Sequence, residues 1–154
     1  MNKDFDLESQ WMKLAIMEAK KSAQIGEVPV GALIIHENKI IACDHNRTIV
    51  DNDVTSHAEI NVIRNANNEL GNHRLVGATL VVTLEPCAMC YGAIVQSRVS
   101  KLIFGAYDKK SGMCGSCFNL HETKCFNHKP EIISGILEHE CSRILSDFFK
   151  ERRS

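Results

Sequence analysis

The sequence contains little proline and no long apolar run. Of its 154 residues, 3 are proline and 9 are glycine, which argues against a disordered chain. No apolar stretch reaches the roughly 20 residues that a membrane-spanning helix needs. The first residues, MNKDFDLESQ, lack the apolar segment found in signal peptides. We therefore expect a folded cytoplasmic protein that has no membrane segment.

An excess of charge of either sign is also missing. The 18 lysines and arginines nearly balance the 19 aspartates and glutamates, and the formal net charge is −1. The protein as a whole therefore has no field that would attract nucleic acid. The end of the chain, with Lys150, Arg152 and Arg153, nevertheless offers a local basic patch.

The cysteines do not suggest a disulfide framework. The chain has 7 cysteines, an odd number, and no export signal accompanies them. Reduced thiols and metal ligation are therefore favoured over disulfides. Two of the cysteines, Cys87 and Cys90, form a CxxC pair.

Hydrophobic patterning predicts an alternation of helices and strands. Apolar residues at helical spacing predict helices at residues 7–25, 57–70, 86–97 and 137–148. β-Branched and apolar runs predict strands at residues 28–36, 39–43, 79–84, 101–106 and 131–134. The strand–helix–strand unit over residues 79–106 implies parallel pairing through a crossover. We predict an α/β fold, a three-layer α/β/α sandwich with a mixed five-stranded sheet, in one domain over residues 1–154.

The first predicted helix has recognisable ends and an apolar face. We expect Trp11 to anchor this helix in the core. The residues that recur at helical spacing, all apolar except Glu18 and Ser22, are Leu7, Trp11, Leu14, Ala15, Glu18, Ser22 and Ile25. Asp6 is the predicted N-terminal cap, and Gly26 follows the predicted end of the helix as a C′ residue.

Two short motifs supply soft metal ligands and one carboxylate. Cys87 and Cys90, in a PCxxC motif, open a predicted helix, so both sulfurs lie on one side and the helix N-terminus favours thiolate. His57, in an HxE motif, offers an imidazole as a third ligand. Three ligands leave a fourth position for water, as in catalytic zinc sites. Glu59 is then available to carry the proton of that water.

Simpler interpretations of these residues have to be weighed. A lone CxxC pair is also typical of structural zinc knuckles and redox pairs. Ser56 and Glu59 match a capping box, in which Glu59 would only cap a helix. The joint pattern of HxE followed by PCxxC is far more specific, because it is the established signature of zinc deaminases.

On these motifs the chain resembles the bacterial tRNA adenosine deaminases, which have the cytidine-deaminase-like fold. The resemblance covers nearly the whole chain. Its segments are GEVPVGA (26–32), HAE (57–59), TLEPCAMC (83–90) with GA (92–93), FGA (104–106) with Asp108, FNH (126–128) and DFFKERR (147–153). HAE with PCxxC identifies only the superfamily. The TLEPCxMCxGA form and the DFF-x-x-RR tail indicate the tRNA branch.

The resemblance implies a reaction and a set of partners. The reaction is zinc-dependent hydrolytic deamination of adenosine to inosine at wobble position 34 of tRNA, with release of ammonia. One catalytic zinc ion per chain would be bound by His57, Cys87 and Cys90, and Glu59 would be the proton shuttle. The family is typically a homodimer that binds the tRNA anticodon stem-loop, so we expect the same here.

Seven further residues match family positions that border or contact the RNA. They are Glu27, Val28, Asn46, Asp108, Phe149, Arg152 and Arg153. Asn46 matches the amide that recognises the base, since an amide can donate and accept hydrogen bonds at once. Glu27 and Val28 match positions that border the pocket, and Asp108 matches one near the flanking nucleotides. The last three residues form the tail that meets the anticodon stem-loop.

Two other functions stay open at this point. A zinc deaminase of a free nucleobase or nucleotide, such as guanine, cytosine or dCMP, would use the same HxE and PCxxC motifs. The basic, aromatic tail argues for RNA instead, because a free base needs no such surface. A structural zinc module that binds RNA without chemistry would require a fourth protein ligand.

The region of residues 108–130 is polar and rich in cysteine, and we expect mostly loop there. Cys114, Cys117, His121, Cys125 and His128 are a set of soft ligands that a second metal could use. The favoured interpretation is that the cysteines replace small apolar residues in a packed loop.

Overall fold

The computed structural model describes residues 3–153, and Met1, Asn2 and Ser154 lie outside the described residues. The strands are β1 (Gly31–His36), β2 (Lys39–His45), β3 (Thr79–Leu84), β4 (Lys101–Ala106) and β5 (Glu131–Ile133). The helices are α1 (Lys3–Gln24), α2 (Ala58–Leu70), α3 (Ala88–Gln96) and α4 (Glu138–Arg153), with a short 3-10 helix at Leu120–Glu122. Within residues 3–153, no helix is long and apolar enough to cross a membrane.

The sheet is mixed, as predicted. Its strand order is β2-β1-β3-β4-β5. Strand β1 runs antiparallel to both of its neighbours, β2 and β3. Strands β3, β4 and β5 are parallel to one another, and α3 connects β3 to β4. The predicted strand–helix–strand unit is therefore confirmed, and its helix begins at the carboxyl end of β3.

The first two strands form a hairpin with a two-residue turn. Glu37 and Asn38 occupy that turn with φ angles of 51° and 63°. Two consecutive positive φ angles match the twist of the flanking strands, which explains why such a short turn closes the hairpin. Strand β2 extends to His45, two residues beyond the predicted end, so Asn46 directly follows it.

Side chains alternate between two apolar layers on the two faces of the sheet. Ala32 and Ile34 of β1 belong to the core that α2 and α3 cover. Leu33 and Ile35 belong to the core that α1 and α4 cover. Fully burying one aliphatic side chain contributes roughly 1.5–3 kcal/mol, so the two layers hold both pairs of helices to the sheet. The predicted three-layer α/β/α sandwich is confirmed.

Helix α1 buries only part of the stripe that its helical spacing predicts. Leu7 and Leu14 are each 39% exposed, whereas Ala15 and Ala19 are fully buried. Trp11 is partly buried and packs against the core. Ala15 and Ala19 lie where α1 approaches Gly31 of β1 closely, so the buried face of the helix is turned slightly from the predicted stripe.

The ends of α1 agree with one prediction and not with the other. The helix begins at Lys3, so the prediction that Asp6 caps it is wrong. Gly26 has a φ of 80° and donates from its N–H to the carbonyl of Ala23 at 3.1 Å. The N–H of Glu27 donates to the carbonyl of Ser22 at 2.9 Å. These two bonds form a Schellman motif, which confirms Gly26 as the C′ residue.

The contact between α1 and β1 generates a stability prediction at Gly31. A Cβ atom at this position would lie 2.5 Å from the backbone nitrogen of Ala19, so α1 would have to move away from the sheet. Gly31→Ala should lower the free energy of unfolding by about 1–3 kcal/mol, measured by urea denaturation. Gly92→Ala is the control, since nothing lies near a Cβ there and a helical glycine-to-alanine change stabilises by about 0.5–1 kcal/mol. Equal stability of the two variants would contradict the close approach.

Candidate active site

Two helix N-termini meet at the carboxyl end of β3. His57 is the N-cap residue of α2 and Cys87 is the N-cap residue of α3. Both have extended backbone, and neither side chain caps its own helix. The imidazole and the thiol are therefore free to face each other. The partial positive charge of both helices points to the same place and favours a negatively charged group there.

The geometry of three side chains fits a metal ion. His57 Nδ1 lies 3.5 Å from Cys90 Sγ and 3.7 Å from Cys87 Sγ. All three ligand atoms lie within 4.8 Å of one another. A tetrahedral ion with bonds of about 2.0 Å to nitrogen and 2.3 Å to sulfur would separate these atoms by about 3.6 Å. The three residues could therefore hold a metal ion without rearrangement.

The protonation of the two thiols is strongly coupled. The hydrogen bond from Cys90, with a second one from His57, lowers the pKa of Cys87 to about 4. The same bond, together with burial, raises the pKa of Cys90. The hydrogen bond to Cys87 raises the pKa of His57. Thiolate is therefore favoured at Cys87, and thiolate is the form of cysteine that binds a soft cation.

Glu59 lies beside the three ligands but is not one of their group. It is the second residue of α2 and is only 4% exposed. Burial raises the pKa of its carboxyl to about 7, against the effect of its own backbone N–H. A carboxyl group with such a pKa can both accept and donate a proton near neutral pH.

The capping-box interpretation of Glu59 is wrong. The N-cap residue is His57, so α2 begins one residue later than a box on Ser56 requires. The hydroxyl of Ser56 instead donates to Asp51 at 2.6 Å and to the Asn61 amide oxygen at 3.2 Å. The buried carboxyl of Glu59 is therefore not explained by helix capping.

A cavity of about 300 Å³ opens onto these groups. Its lining includes His57, Glu59 and Cys87, together with three of the residues that the sequence assigned to the substrate, Val28, Asn46 and Asp108. Sequence reasoning missed the other lining residues, Val30, Thr48, Ala58, Leu84, Glu85 and Ser111. Glu85 could have been singled out from the sequence, because it belongs to the TLEPC segment.

Asn46 is held in one orientation at the exit of β2. It is 8% exposed, and its Nδ2 donates to the carbonyl of Val28 at 3.2 Å. Its own carbonyl accepts from the hydroxyl of Ser22 at 2.9 Å. One side-chain N–H is thereby used within the protein, while the amide remains in the cavity lining. The amide is thus fixed before any ligand arrives.

Glu27 has a different position from the other predicted substrate residues. It is fully buried and is absent from the lining of the cavity. Its carboxylate accepts from the backbone N–H groups of Ile49 at 2.9 Å and Val50 at 2.8 Å, and from the Thr48 hydroxyl at 3.4 Å. Glu27 therefore contacts the turn that carries Thr48, and Thr48 contacts the cavity.

Comparison with known proteins places this site in a family. A family model described as MafB19-like deaminase matches residues 7–153. The tRNA-specific adenosine deaminase of Bacillus subtilis is 51% identical over 143 residues, which cover 93% of this chain and 89% of the relative. The tRNA-specific adenosine deaminase of Haemophilus influenzae is 44% identical over 149 residues, which cover 96% of this chain and 86% of that relative.

The chain belongs to the tRNA-specific adenosine deaminase family. A solved structure from a study of A-to-I editing by tRNA:A34 deaminases at the wobble position of transfer RNA superposes with a TM-score of 0.86. It is 44% identical, and the match covers 88% of this chain and 99% of that chain. A guanine deaminase from Nitrosomonas europaea superposes with a TM-score of 0.75 at 21% identity, over 91% and 83% of the two chains, and shares the fold.

In this member of the tRNA-specific adenosine deaminase family, the end of α4 lies next to the cavity. Phe149 is 44% exposed and lines a second cavity of about 400 Å³, to which Val28 and Asp108 also contribute. The guanidinium of Arg152 lies 4.2 Å from the ring centroid of Phe148. Arg153 is exposed, and its Nε donates to the carbonyl of Phe149 at 3.3 Å. The tail thus presents an aromatic ring and two cations beside the site.

The soft ligands of residues 114–128 do not converge. Cys117 and Cys125 are exposed. His121 Nδ1 is bonded to the Tyr91 hydroxyl at 3.0 Å, and His128 Nε2 to the Val99 carbonyl at 2.7 Å. Among the described residues, the group formed by His57 and the PCxxC cysteines is the one whose ligand atoms cluster. The geometry therefore does not favour a second metal site, and the expectation that the cysteines are packed like small apolar residues is wrong for Cys117 and Cys125.

Metal content provides the first test of this site. We expect one zinc ion per chain, measured by inductively coupled plasma mass spectrometry on the purified protein. Cys90→Ala should lower zinc affinity at least ~10²-fold, because it removes one of three protein ligands. Cys117→Ala is the control, since Cys117 forms a second CxxC pair with Cys114, and it should leave the zinc-to-chain ratio at one. A ratio near two that Cys117→Ala reduces would instead establish a second site in residues 114–128.

Proposed function

We propose that this protein is a zinc-dependent hydrolase that converts adenosine to inosine at position 34 of tRNA and releases ammonia. The observation that carries the proposal is the convergence of a three-ligand group and a buried carboxyl on one cavity. His57, Cys87 and Cys90 are the proposed zinc ligands, and Glu59 is the proposed catalytic residue. The B. subtilis relative, 51% identical, supports adenosine in tRNA as the substrate.

The chemistry follows from the groups in the cavity. When bound, zinc would supply a Lewis acid that lowers the pKa of a water molecule toward neutrality. Glu59 takes a proton from that water and passes it to a ring nitrogen of the purine, which makes carbon 6 electrophilic. After the water oxygen has added to carbon 6, Glu59 takes the remaining proton from that oxygen and passes it to the amino group, which leaves as ammonia while the carbon–oxygen bond becomes the carbonyl of inosine. One adenosine and one water are consumed, and one inosine and one ammonia are formed.

The surrounding protein favours this sequence of proton transfers. The N-termini of α2 and α3 both face the site and stabilise negative charge that develops there. Burial shields Glu59 from bulk solvent, so the proton that it takes from the reacting water is retained for the substrate. The fixed amide of Asn46 would hold the purine edge by hydrogen bonds.

The substrate nucleotide has to leave its stack to enter a cavity of about 300 Å³. We infer that Val28 borders the extruded base and that Asp108 lies near the neighbouring nucleotides, since both also line the adjoining second cavity. Phe149 offers a ring for stacking, and Arg152 and Arg153 offer charge to the phosphates of the anticodon stem-loop.

We further propose a cytoplasmic homodimer with one deaminase domain over residues 1–154. The family model over residues 7–153 supports the single domain, and a tRNA substrate supports the location. Three aliphatic side chains of the loop before α2 support a second copy as partner. Ile49, Val50 and Val54 are 70%, 56% and 79% exposed. Light scattering at micromolar concentration that gave only the monomer mass would contradict the dimer.

The substrate assay decides between the candidate functions. The zinc-loaded protein is incubated with tRNA that carries A34, and separately with guanine, cytosine and dCMP. Inosine is measured by digestion and chromatography, and ammonia by a coupled assay. Inosine at position 34 is the expected result. Unchanged A34 in every tRNA tested would overturn the proposal, and ammonia from a free base would favour the alternative deaminase.

Replacement of Glu59 tests the mechanism. Glu59→Gln and Glu59→Ala should each lower kcat/KM by roughly 10²–10⁴-fold, because the proton carrier is lost while the three ligands remain. Inosine formation and zinc content are measured together on each variant. Glu69→Gln, an exposed change on the same helix, is the control. Activity of Glu59→Ala within tenfold of the wild type would contradict the mechanism.

The tail generates a prediction on RNA binding. Arg152→Ala/Arg153→Ala should raise KM for the anticodon stem-loop about 10-fold with little change in kcat, because phosphate contacts position the RNA without taking part in chemistry. The slope of log Kd against the logarithm of salt concentration should decrease by roughly 1–2. Arg74→Ala, an exposed change in the loop that precedes β3, is the control. An unchanged salt dependence would place the RNA elsewhere.

A further inference from the structure

Two buried glutamates near the cavity are not used by the proposed mechanism. Glu27 is fully buried and Glu85 is 2% exposed. Among residues 7–153, the ion pairs of the structure include neither of them. A buried carboxylate without a cation has to be stabilised by hydrogen-bond donors. The donors in both cases are mainly backbone N–H groups of a loop that borders the cavity.

Glu85 binds the loop of residues 108–116 at several points. Its Oε1 accepts from the N–H of Asp108 at 3.0 Å and, in a short bond, from the hydroxyl of Ser116. Its Oε2 accepts from the N–H groups of Cys114 at 2.9 Å and Ser116 at 3.1 Å. The loop passes so close that a Cβ at Gly112 would lie 2.5 Å from Oε1.

The backbone of Glu85 is itself anchored in the sheet. Its N–H donates to the carbonyl of Ala106 at 2.9 Å, directly beyond the paired ends of β3 and β4. Both carboxylate oxygens already accept two bonds each, so little acceptor capacity remains for a substrate. Although Glu85 belongs to the cavity lining, its carboxylate is therefore committed to the loop.

Glu27 makes the same kind of contact with a second loop. Its position is fixed by the Schellman motif at the end of α1. Its Oε2 accepts from the N–H groups of Ile49 and Val50 at 2.9 and 2.8 Å, and its Oε1 from the Thr48 hydroxyl at 3.4 Å. Each glutamate thus connects a fixed element, α1 or β3, to a loop without regular structure.

The two loops carry lining residues of the cavity. Thr48 belongs to the loop that Glu27 holds, and Asp108 and Ser111 belong to the loop that Glu85 holds. The proposed zinc ligands and Glu59 lie outside both loops, at the starts of α2 and α3. Displacement of the loops would therefore disturb the walls around the substrate more than the reacting groups.

We propose that Glu27 and Glu85 are positioning residues for the RNA substrate. Each buried carboxylate gathers the N–H groups of one loop and so fixes one wall of the cavity at the spacing that the extruded nucleotide and its neighbours require. The inference depends on the proposed function, because the ligand of these walls is the RNA. It assigns Glu27 an indirect role in place of direct contact with the substrate.

Glutamine substitutions test this inference because they keep the size of the side chain. In Glu85→Gln and Glu27→Gln, an NH₂ group replaces one oxygen and faces N–H donors, so the loop is released. We expect KM for an anticodon stem-loop carrying A34 to rise about 10-fold or more, while kcat changes less than about 3-fold. Glu122→Gln, an exposed change in the region between β4 and β5, is the control.

A merely structural role would give a different kinetic result. A variant that was partly unfolded would show a lower apparent kcat at unchanged KM, since fewer molecules would be active. That result in both glutamine variants would overturn the inference. Zinc content should equal that of the wild type, because the three ligands lie outside the loops.

Amide hydrogen exchange gives a second readout that needs no RNA. In the zinc-loaded protein, NMR should show the amides of Cys114 and Ser116 exchanging about 10-fold faster in Glu85→Gln, and those of Ile49 and Val50 in Glu27→Gln. Amides of β3 should be unchanged. If the loop amides of Glu85→Gln and Glu27→Gln exchanged no faster than those of the control Glu122→Gln, the inference would be overturned. This outcome does not depend on whether the wild type forms inosine.

A milder variant keeps the test decisive if Glu85→Gln does not fold. Ser116→Ala removes one side-chain donor and leaves the three backbone N–H bonds to Glu85. We expect KM to rise roughly 2–5-fold at constant kcat, with faster exchange confined to residues 108–116. Wild-type KM and exchange in Ser116→Ala would overturn the role of Glu85.

Discussion

The meeting of two helix N-termini is the constraint on which this structure depends. His57 and Cys87 are the cap residues of α2 and α3, and the sheet brings these helices to one face. The first turn of α3 then places Cys90 beside Cys87. A metal-ligand group therefore arises from backbone geometry and from the order of the strands, while the cavity forms where the loops before α2 and after β4 close over it.

Three buried glutamates near this point are stabilised in different ways. Glu59 lies beside the three proposed metal ligands, and burial raises its pKa to about 7, so it suits proton transfer. Glu27 and Glu85 are surrounded by N–H donors, which replace the hydration that a buried carboxylate loses. In the proposed function, similar side chains thus serve chemistry in one place and architecture in two others, because the protein dipoles around them differ.

The fold by itself does not select the base. A guanine deaminase superposes on this chain with a TM-score of 0.75 at 21% identity, so the sheet and its helices are shared beyond the tRNA-specific branch. Selection has to come from the parts that vary on this scaffold. We propose that in this chain they are the orientation of Asn46, the loops that Glu27 and Glu85 hold, and the end of α4 with Phe149.

The helices and strands, the mixed sheet and the three soft-ligand residues could be predicted from the sequence, since periodicity and short motifs are local properties. It predicted β3 and β4 with their observed bounds. It was wrong on Leu7 and Leu14 of α1, which are exposed, because packing against β1 is a tertiary matter. The capping box at Ser56, an open alternative in the sequence, is excluded only by the observed start of α2. The sequence could not distinguish Glu59, which faces the three ligand residues, from Glu27 and Glu85, which hold loops. That difference depends on tertiary contacts, because each of the hydrogen bonds by which Glu27 and Glu85 hold their loops spans at least 21 residues of chain.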